Sequence, residues 1–444
     1  MAEPQDLLSR TAERRLRLME ALQSGAILVP AARLRLRSAD SEYTFRQDSD
    51  FYYLTGFEEP DAVCLLLPGR TAARYVLFVR PKNRDAEIWN GRRVGVDNAQ
   101  RLYGADAAYS VEELEARLPE LLSDVDTLYY AWGRDAVLDR LVQRLVDDHR
   151  RTRARRGHGI VQLQDPGTVL HEMRLVKDAY ELERMRAAVA ATAAGHLRAM
   201  RETRPGMREY EVEALIEYEF RRRGARGPAY GTIVGGGDNA NILHYRDNNS
   251  VLREGDLLLV DAGAEADLYA ADITRTFPVG ASFSSEQRAL YAVVLEAQKQ
   301  AIDTVRPGGS FEAPHERAVQ VLCAGLVELG LAEGPAERVR ESSDYRKFYM
   351  HRTSHWLGLD VHDVGLYAVE GGARSFAPGM VLTVEPGLYV AADLEGVPPG
   401  FRGIGVRIED DVLVTQGGHE VLTAAVPKEI EALEALRAGA LASA

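Results

Sequence analysis

The stretch HRTSHWLGLDVHDVG, residues 351 to 365, carries three of the chain's ten histidines. His351 and His355 stand four apart, the spacing of the zinc-binding pair in H-E-x-x-H. That motif needs a glutamate after the first histidine as general base, and here the position is Arg352. The ordinary zinc-protease reading therefore fails, and the histidines need other partners.

Four carboxylates lie in or beside apolar runs. Asp261 follows Leu-Leu-Leu-Val, and Asp272 stands between Ala-Ala and Ile-Thr. Glu385 follows Val-Leu-Thr-Val, and Glu409 lies within GVRIEDDVLV. Burying an ionised carboxylate costs several kcal/mol unless it is paired, hydrogen-bonded or metal-bound. One alone reads equally well as half of a structural ion pair. Four that converge would repel one another, and only cations relieve that. Lysine and arginine are scarce in these runs, Arg407 being the exception, so divalent metal is the better account. Oxygen-rich donors with at most one imidazole suit Mn²⁺, Co²⁺, Fe²⁺ or Mg²⁺ more than structural Zn²⁺. Two such ions about 3.5–4 Å apart can hold a hydroxide at neutral pH and stabilise a tetrahedral oxyanion. That is hydrolase chemistry, with one histidine of the opening stretch completing the ligand shell.

Residues two apart on a strand share a face, so Arg407 and Glu409 point the same way. Arg407 is then either a countercharge or the orienter of a catalytic group. His244, in Ile-Leu-His-Tyr, is expected on a strand ahead of Asp261. The glycines at 235 to 237 read as a flexible turn. A phosphate loop would need Lys-Ser/Thr after them and the start of a helix.

The elements that must position these groups follow from periodicity and caps. Residues 7 to 23 read as an amphipathic helix. Short β-like runs follow at Gly25 to Val29, Phe51 to Thr55, Val63 to Leu67, Tyr75 to Val79 and Thr127 to Tyr130. Helices are expected at 111 to 123 and 135 to 148, which makes a small α/β domain. The basic run HRRTRARRGH, 149 to 158, reads as a solvated helix end and loop. Near residue 175 the texture changes. Asp178-Ala-Tyr-Glu181 is a capping-box pattern opening a helix to about Glu202, and a second helix is expected over 209 to 223. Strands follow at Gly231 to Val234, Leu257 to Val260 and Ile273 to Val279. Ser284-Ser-Glu-Gln287 opens another helix to about 306, and a further one fills 313 to 330. Strands return near 380 to 390 and 404 to 415. The order helix, helix, strands therefore occurs twice. REGDLLLVDAG, 253 to 263, also aligns without gaps on APGMVLTVEPG, 377 to 387, with Asp261 falling on Glu385. Two repeats packed face to face would bring all four carboxylates to one centre. The expected class is α/β (α+β), with a domain over 1–174 and a second over 175–444.

Composition bounds the rest. The chain has 444 residues, enough for two or three domains, with 46% apolar and 27% charged residues. A net charge of −13 argues against a broad nucleic-acid surface. The two cysteines, Cys64 and Cys323, lie in apolar runs and exclude a disulfide scaffold and CxxC metal sites. The first residues have no apolar signal core, and no run approaches the length of a membrane span. A cytoplasmic protein without nucleic-acid or membrane partners is the expectation.

At this point the residues carry a resemblance. Asp261, Asp272, His355, Glu385 and Glu409, in this order and setting, resemble the metal ligands of the pita-bread metallopeptidases. Within them, YMHRTSHWLGLDVHDVG, TIVGGGDNANILHY, VDAGAEADLYAADITRTFP and GIGVRIEDDVLV look like the aminopeptidase P family of bacteria. FRQDSDFYYLTGFEEPDAV and EIWNGRRVG extend that likeness into the first domain, which would then be creatinase-like. The resemblance implies a pita-bread catalytic domain that releases the first residue of peptides whose second residue is proline. It implies two divalent ions, Mn²⁺ foremost, with Co²⁺, Fe²⁺ or Zn²⁺ as alternatives. It further implies that Glu385 is both a ligand and the acceptor of a proton from the hydroxide. His362 would hydrogen-bond the scissile carbonyl. His244, His351, Tyr230 and Arg407 would line the pocket for the proline ring and tune proton movement, with His244 and Arg407 taking part in catalysis. Family members form homodimers or homotetramers, and Trp89 would reach a neighbour's active site.

Prolidases, confined to Xaa-Pro dipeptides, share all five ligands. Ser354 just before His355 sets this chain apart from the HGxGH pattern of prolidases. Non-enzymatic members generally lose ligands, and a creatinase-like metal-free reaction is disfavoured on the same ground, because all five are present here.

Overall fold

The computed structural model describes residues 4–442. The chain divides into two units, the first ending at Arg174 and the second beginning at Leu175.

The first unit is built on a six-stranded mixed sheet. Its strand order is Ala107–Ser110, Tyr75–Val79, Val63–Leu66, Ala26–Pro30, Thr127–Tyr129, Gln162–Gln164. The central strands are buried on both faces, with Leu28, Leu65, Val76 and Phe78 packed against Leu138 and Leu145 of the helix Ala136–Arg156. That helix runs through the basic segment and stops at Gly157, whose φ of 80° gives the left-handed cap.

Phe51 to Thr55, expected as a strand, is instead a helix, Ser49–Thr55. Asp48 caps it by accepting from the Phe51 N–H at 2.9 Å, and Gly56 ends it at φ 63°. All seven of its residues are buried, so its pattern lacks the alternation of a surface helix and mimics a buried strand.

In the second unit both capping boxes form. Asp178 and Glu181 exchange bonds of 2.9 and 3.0 Å at the start of Ala179–Glu202. Ser284 and Gln287 do the same at the start of Ser285–Ile302. Each long helix packs against the next one, Glu209–Arg222 and Ala313–Glu328 respectively. Each helix pair precedes a carboxylate-bearing antiparallel strand pair. In the first repeat, Leu257–Ala262 pairs with Ile273–Pro278 over six residues. In the second, Val381–Val384 pairs with Asp410–Val414 over four.

Three local expectations change. Gly235 and Gly236 lie in the strand Ile233–Gly236, paired with Leu259 and Leu258, and only Gly237, at φ 56°, begins a turn. A Cβ on Gly236 would come within 2.5 Å of the Leu252 side chain, so a larger residue there would have to push that methyl aside. His244 lies in a turn rather than a strand. The run expected over 380 to 390 is two strands broken at Glu385-Pro386, because proline has no N–H to extend the ladder. Val381–Val384 continues with Asp410–Val414, whereas Gly387–Val390 pairs with Ile404–Arg407. Among the described residues, no helix is long and apolar enough to cross a membrane.

Candidate metal centre

The carboxylates sit where strands start or end. Asp261 lies near the end of its strand opposite Thr274, and Asp272 immediately precedes the partner strand. Glu385 immediately follows Val381–Val384, and Glu409 immediately precedes Asp410–Val414. One β-bridge, Thr274 to Glu409, joins the two repeats. Thr274 Oγ1 donates to Glu409 Oε2 at 2.6 Å, and the Glu409 N–H donates to the Thr274 carbonyl at 3.1 Å. The duplication read in the sequence thus becomes a shared seam.

Ligand atoms of Asp272, His355 and Glu409 all lie within 4.8 Å of one another. Glu385 joins them, its Oε1 being 3.6 Å from His355 Nε2, which also stands 3.4 Å from Asp272 Oδ2. His355 Nδ1 faces the Trp356 carbonyl at 2.9 Å. A carbonyl only accepts, so Nδ1 carries the proton and Nε2 turns to the carboxylates, the arrangement of a metal-ligating imidazole. Asp261 is held differently. Its Oδ2 accepts from Arg407 at 2.6 Å and its Oδ1 from the Tyr230 hydroxyl at 2.6 Å. That same hydroxyl closely approaches Asp272 Oδ1.

Electrostatics distinguish this cluster from an ion-pair network. Burial, followed by repulsion from Asp272, Glu385 and Asp261, raises Glu409 well above the usual carboxylate range. Burial raises Asp272 as well. Glu385 is pushed up to about 7 by burial and by Asp272 and Asp261, against the pull of His355 and Arg407. Burial would lower His355, but Asp272 and Glu385 outweigh it and bring the imidazole up to about 9. Arg407 balances one carboxylate of the four. A donor set of carboxylate oxygens with one imidazole, buried and short of positive charge, fits divalent ions that prefer oxygen.

All ten expected site residues line one cavity of about 650 Å³. The histidines occupy distinct places on its wall. His351 Nδ1 donates to the Arg352 carbonyl at 2.8 Å, and Nε2 accepts from the Tyr389 hydroxyl at 2.8 Å. Burial and the nearby Arg407 hold its pKa down at about 3, so the ring is neutral. His362 meets His355 edge-on, with centroids 4.4 Å apart, and burial followed by the charge of His355 lowers its pKa. His244 stands exposed at the rim.

Some of the machinery escaped the sequence reading. The Tyr389 hydroxyl accepts from Arg407 at 3.1 Å, so Asp261, Arg407, Tyr389 and His351 form one hydrogen-bonded chain. Phe311 and Tyr367 supply an apolar wall, their rings 4.8 Å apart. Ser354, singled out in the sequence only as a difference from prolidases, lines the cavity with its hydroxyl buried and without a partner. Arg275 is fully buried on the strand after Asp272 and pairs with Asp410 at 2.6 Å. The TRT triplet around it was the available signal, since a cation inside an apolar strand needs an anion across from it.

Comparison with known proteins agrees with this geometry. Residues 183–416 match Metallopeptidase family M24, and residues 11–129 match the aminopeptidase P N-terminal domain. The chain is 46% identical to Xaa-Pro aminopeptidase of Escherichia coli K12, over 96% of this chain and 97% of that one. It is 36% identical to human Xaa-Pro aminopeptidase 3, over 89% of this chain and 78% of the relative. Among solved structures, the aminopeptidase PepP of Pseudomonas aeruginosa superposes with a TM-score of 0.96 at 48% identity, covering 98% of this chain and 99% of that one. A zinc-substituted E. coli aminopeptidase P in complex with product superposes with a TM-score of 0.94 at 46% identity, over 98% of each chain. The expected fold class holds, an aminopeptidase P N-terminal domain followed in the chain by a pita-bread domain, and the chain belongs to metallopeptidase family M24, a family of metal-dependent hydrolases.

Proposed function

We propose that this chain is an Xaa-Pro aminopeptidase, which hydrolyses the bond between the first residue and a penultimate proline. The observation that carries the reading is the convergence of Asp261, Asp272, His355, Glu385 and Glu409 on one cavity walled by three further histidines. The relatives named Xaa-Pro aminopeptidase, similar over nearly the whole chain, favour it over a prolidase confined to dipeptides.

The five residues would hold two divalent ions, for which the donor set favours Mn²⁺. Bound there, the ions would supply an activated water and polarise the scissile carbonyl. Glu385 takes a proton from the attacking water. His355 presents Nε2 because Nδ1 is committed to the Trp356 carbonyl. His362 and His244, both lining the cavity, would meet the scissile carbonyl and the charge that develops on it. Tyr230 and Arg407 hold Asp261 between them, and Arg407, Tyr389 and His351 form a hydrogen-bonded chain that orients the pocket wall and tunes proton movement at the site. An Xaa-Pro bond is a tertiary amide with no N–H. A site for it gains from ring-shaped walls and strong carbonyl activation more than from donors that read an extended backbone.

The first unit is proposed as the creatinase-like domain, 1–174, and the second as the catalytic domain, 175–444. A cytoplasmic homodimer or homotetramer acting on proline-second peptides completes the reading. Trp89, 85% exposed on the short helix Arg84–Asn90, is the residue offered to a neighbouring subunit.

The test is product analysis by mass spectrometry on Xaa-Pro dipeptides and longer Xaa-Pro peptides, with Mn²⁺ and with chelator. Release of the first residue from tripeptides, lost on chelation, is expected. Cleavage of dipeptides alone would make the enzyme a prolidase, and cleavage indifferent to chelator would sink the metal mechanism.

A further inference from the structure

Away from the metal cluster, the buried carboxylate of Glu209 is held by four neutral donors. Glu209, the first residue of the helix Glu209–Arg222, is 0% exposed. Its Oε1 accepts from the Gly236 N–H at 2.8 Å and from Asn239 Nδ2 at 2.9 Å. Its Oε2 accepts from the Tyr245 hydroxyl and the Ser250 N–H, each at 2.8 Å. All four donors belong to a single loop, 236 to 250. The Glu209 N–H also donates to the Ser250 carbonyl at 3.0 Å, so backbone and side chain grip the loop together. Burying a carboxylate in this way is costly unless several donors converge on it, and here they do.

That loop serves the cavity. Leu243, His244 and Arg246 line it, while Tyr245 between them turns inward and packs with Ile233, Ala240 and Leu259. His244 is exposed, in the turn that leads directly into Tyr245. Its place is therefore set by the backbone on either side, and Tyr245 is the nearest anchor. The same carboxylate that holds the Tyr245 phenol also holds both ends of the loop.

We infer that Glu209 is a positioning residue for substrate recognition: it fixes the loop 236 to 250 so that His244 faces the scissile bond. The inference rests on the reading of His244 as a substrate contact, and Glu209 itself touches neither substrate nor metal ligand.

A double-mutant cycle on the full-length, Mn²⁺-loaded enzyme tests it. The rates to compare are kcat/KM on an Xaa-Pro-Yaa peptide for the wild type, Glu209→Gln, His244→Ala and the double variant, with metal content measured on each. Glu209→Gln puts an amide NH₂ among four donors. It should lower kcat/KM by about tenfold with metal content unchanged, as supporting residues around a site do. In the His244→Ala background the same change should cost less than about twofold, because coupled residues are not additive. Should Glu209→Gln not fold, Tyr245→Phe, which deletes one donor to the same carboxylate, carries the same cycle with a smaller loss. An active wild type with an unaffected Glu209→Gln overturns the inference alone. So does a loss that adds in full to that of His244→Ala, or one that tracks lost metal. A wild type that leaves such peptides intact overturns the aminopeptidase reading beneath it.

Discussion

Glu409 and Asp410 are neighbours in the chain, both buried, and they face opposite worlds. Asp410 is enclosed by donors. Arg275 and Thr423 each reach Oδ1 at 2.6 Å, Gln298 reaches Oδ2 at 2.8 Å, and Lys428 reaches Oδ2 at 2.5 Å. Burial alone would raise its pKa, but Arg275 and Lys428 hold it far below the usual range. Glu409, on the other face of the chain, meets Asp272, Glu385 and Asp261, and its pKa is driven upward. The two pockets bury the same functional group. One carries its own cations and is complete, so it fastens strands together. The other sets only Arg407 and His355 against four carboxylates, so it must recruit charge from solution. The completed pocket also supports the open one. Arg275 donates to the carbonyls of Thr274 and Glu409, binding together the strands that bear Asp272 and Glu409.

The sharpest way to break the contrast is to remove the recruited charge. Chelation should abolish peptide hydrolysis completely, and added Mn²⁺ should restore it. Activity surviving exhaustive chelation would mean the open pocket needs no metal.

Next in size is the completed pocket. Asp410→Asn strands Arg275 and Lys428 beside an uncharged amide. It should destabilise the protein by about 3–5 kcal/mol in urea unfolding, as removing one member of a buried pair does. A change under about 1 kcal/mol would show that the cations find other partners.

The two pockets should also respond to pH with opposite sign. Glu385 is raised from 4.5 to about 7, so the folded, metal-free chain holds a proton that the unfolded chain releases. Its unfavourable contribution grows as pH rises from about 4.5 to about 7. Asp410 is lowered from 3.8, so its contribution is present above that value and fades as pH falls below it. In chelator, Glu385→Gln should lessen the loss of stability between pH 5 and 7, by on the order of 1–3 kcal/mol, and leave the acid limb alone. Urea midpoints across pH measure this, and a parallel shift at every pH would contradict it.

The smallest effect is expected at the join between cavity and wall. Tyr389→Phe removes the link between Arg407 and His351. It should lower kcat/KM by about five- to tenfold, the worth of about one hydrogen bond, with little change in metal content.

Much of this was legible before any coordinates. A carboxylate after Leu-Leu-Leu-Val is costly wherever it folds, and repetition of that oddity in two aligned segments signalled a shared centre. The capping boxes at Asp178 and Ser284 are local chemistry and formed as read. What failed did so for identifiable reasons. Ser49–Thr55 is buried on every side, which erases helical periodicity. His244 sits in a turn held by Glu209, a residue thirty-five positions earlier that periodicity assigns to the solvated start of a helix. Tyr389 is a plain aromatic in an apolar strand until the fold sets Arg407 opposite Gly387 and brings its guanidinium to the phenol.

Sequence by itself determined which groups had to be solved for: four carboxylates too costly to bury alone, and histidines too clustered to ignore. Those costs are properties of residue type and immediate neighbours. Tertiary structure alone decided which carboxylate received internal cations and which did not. Glu409 and Asp410 share one sequence environment and take opposite faces of one strand start, and which face meets Arg275 depends on packing between repeats more than a hundred residues apart. Ion pairing in a dry interior depends on distances of a few ångströms, and only the closed fold sets those.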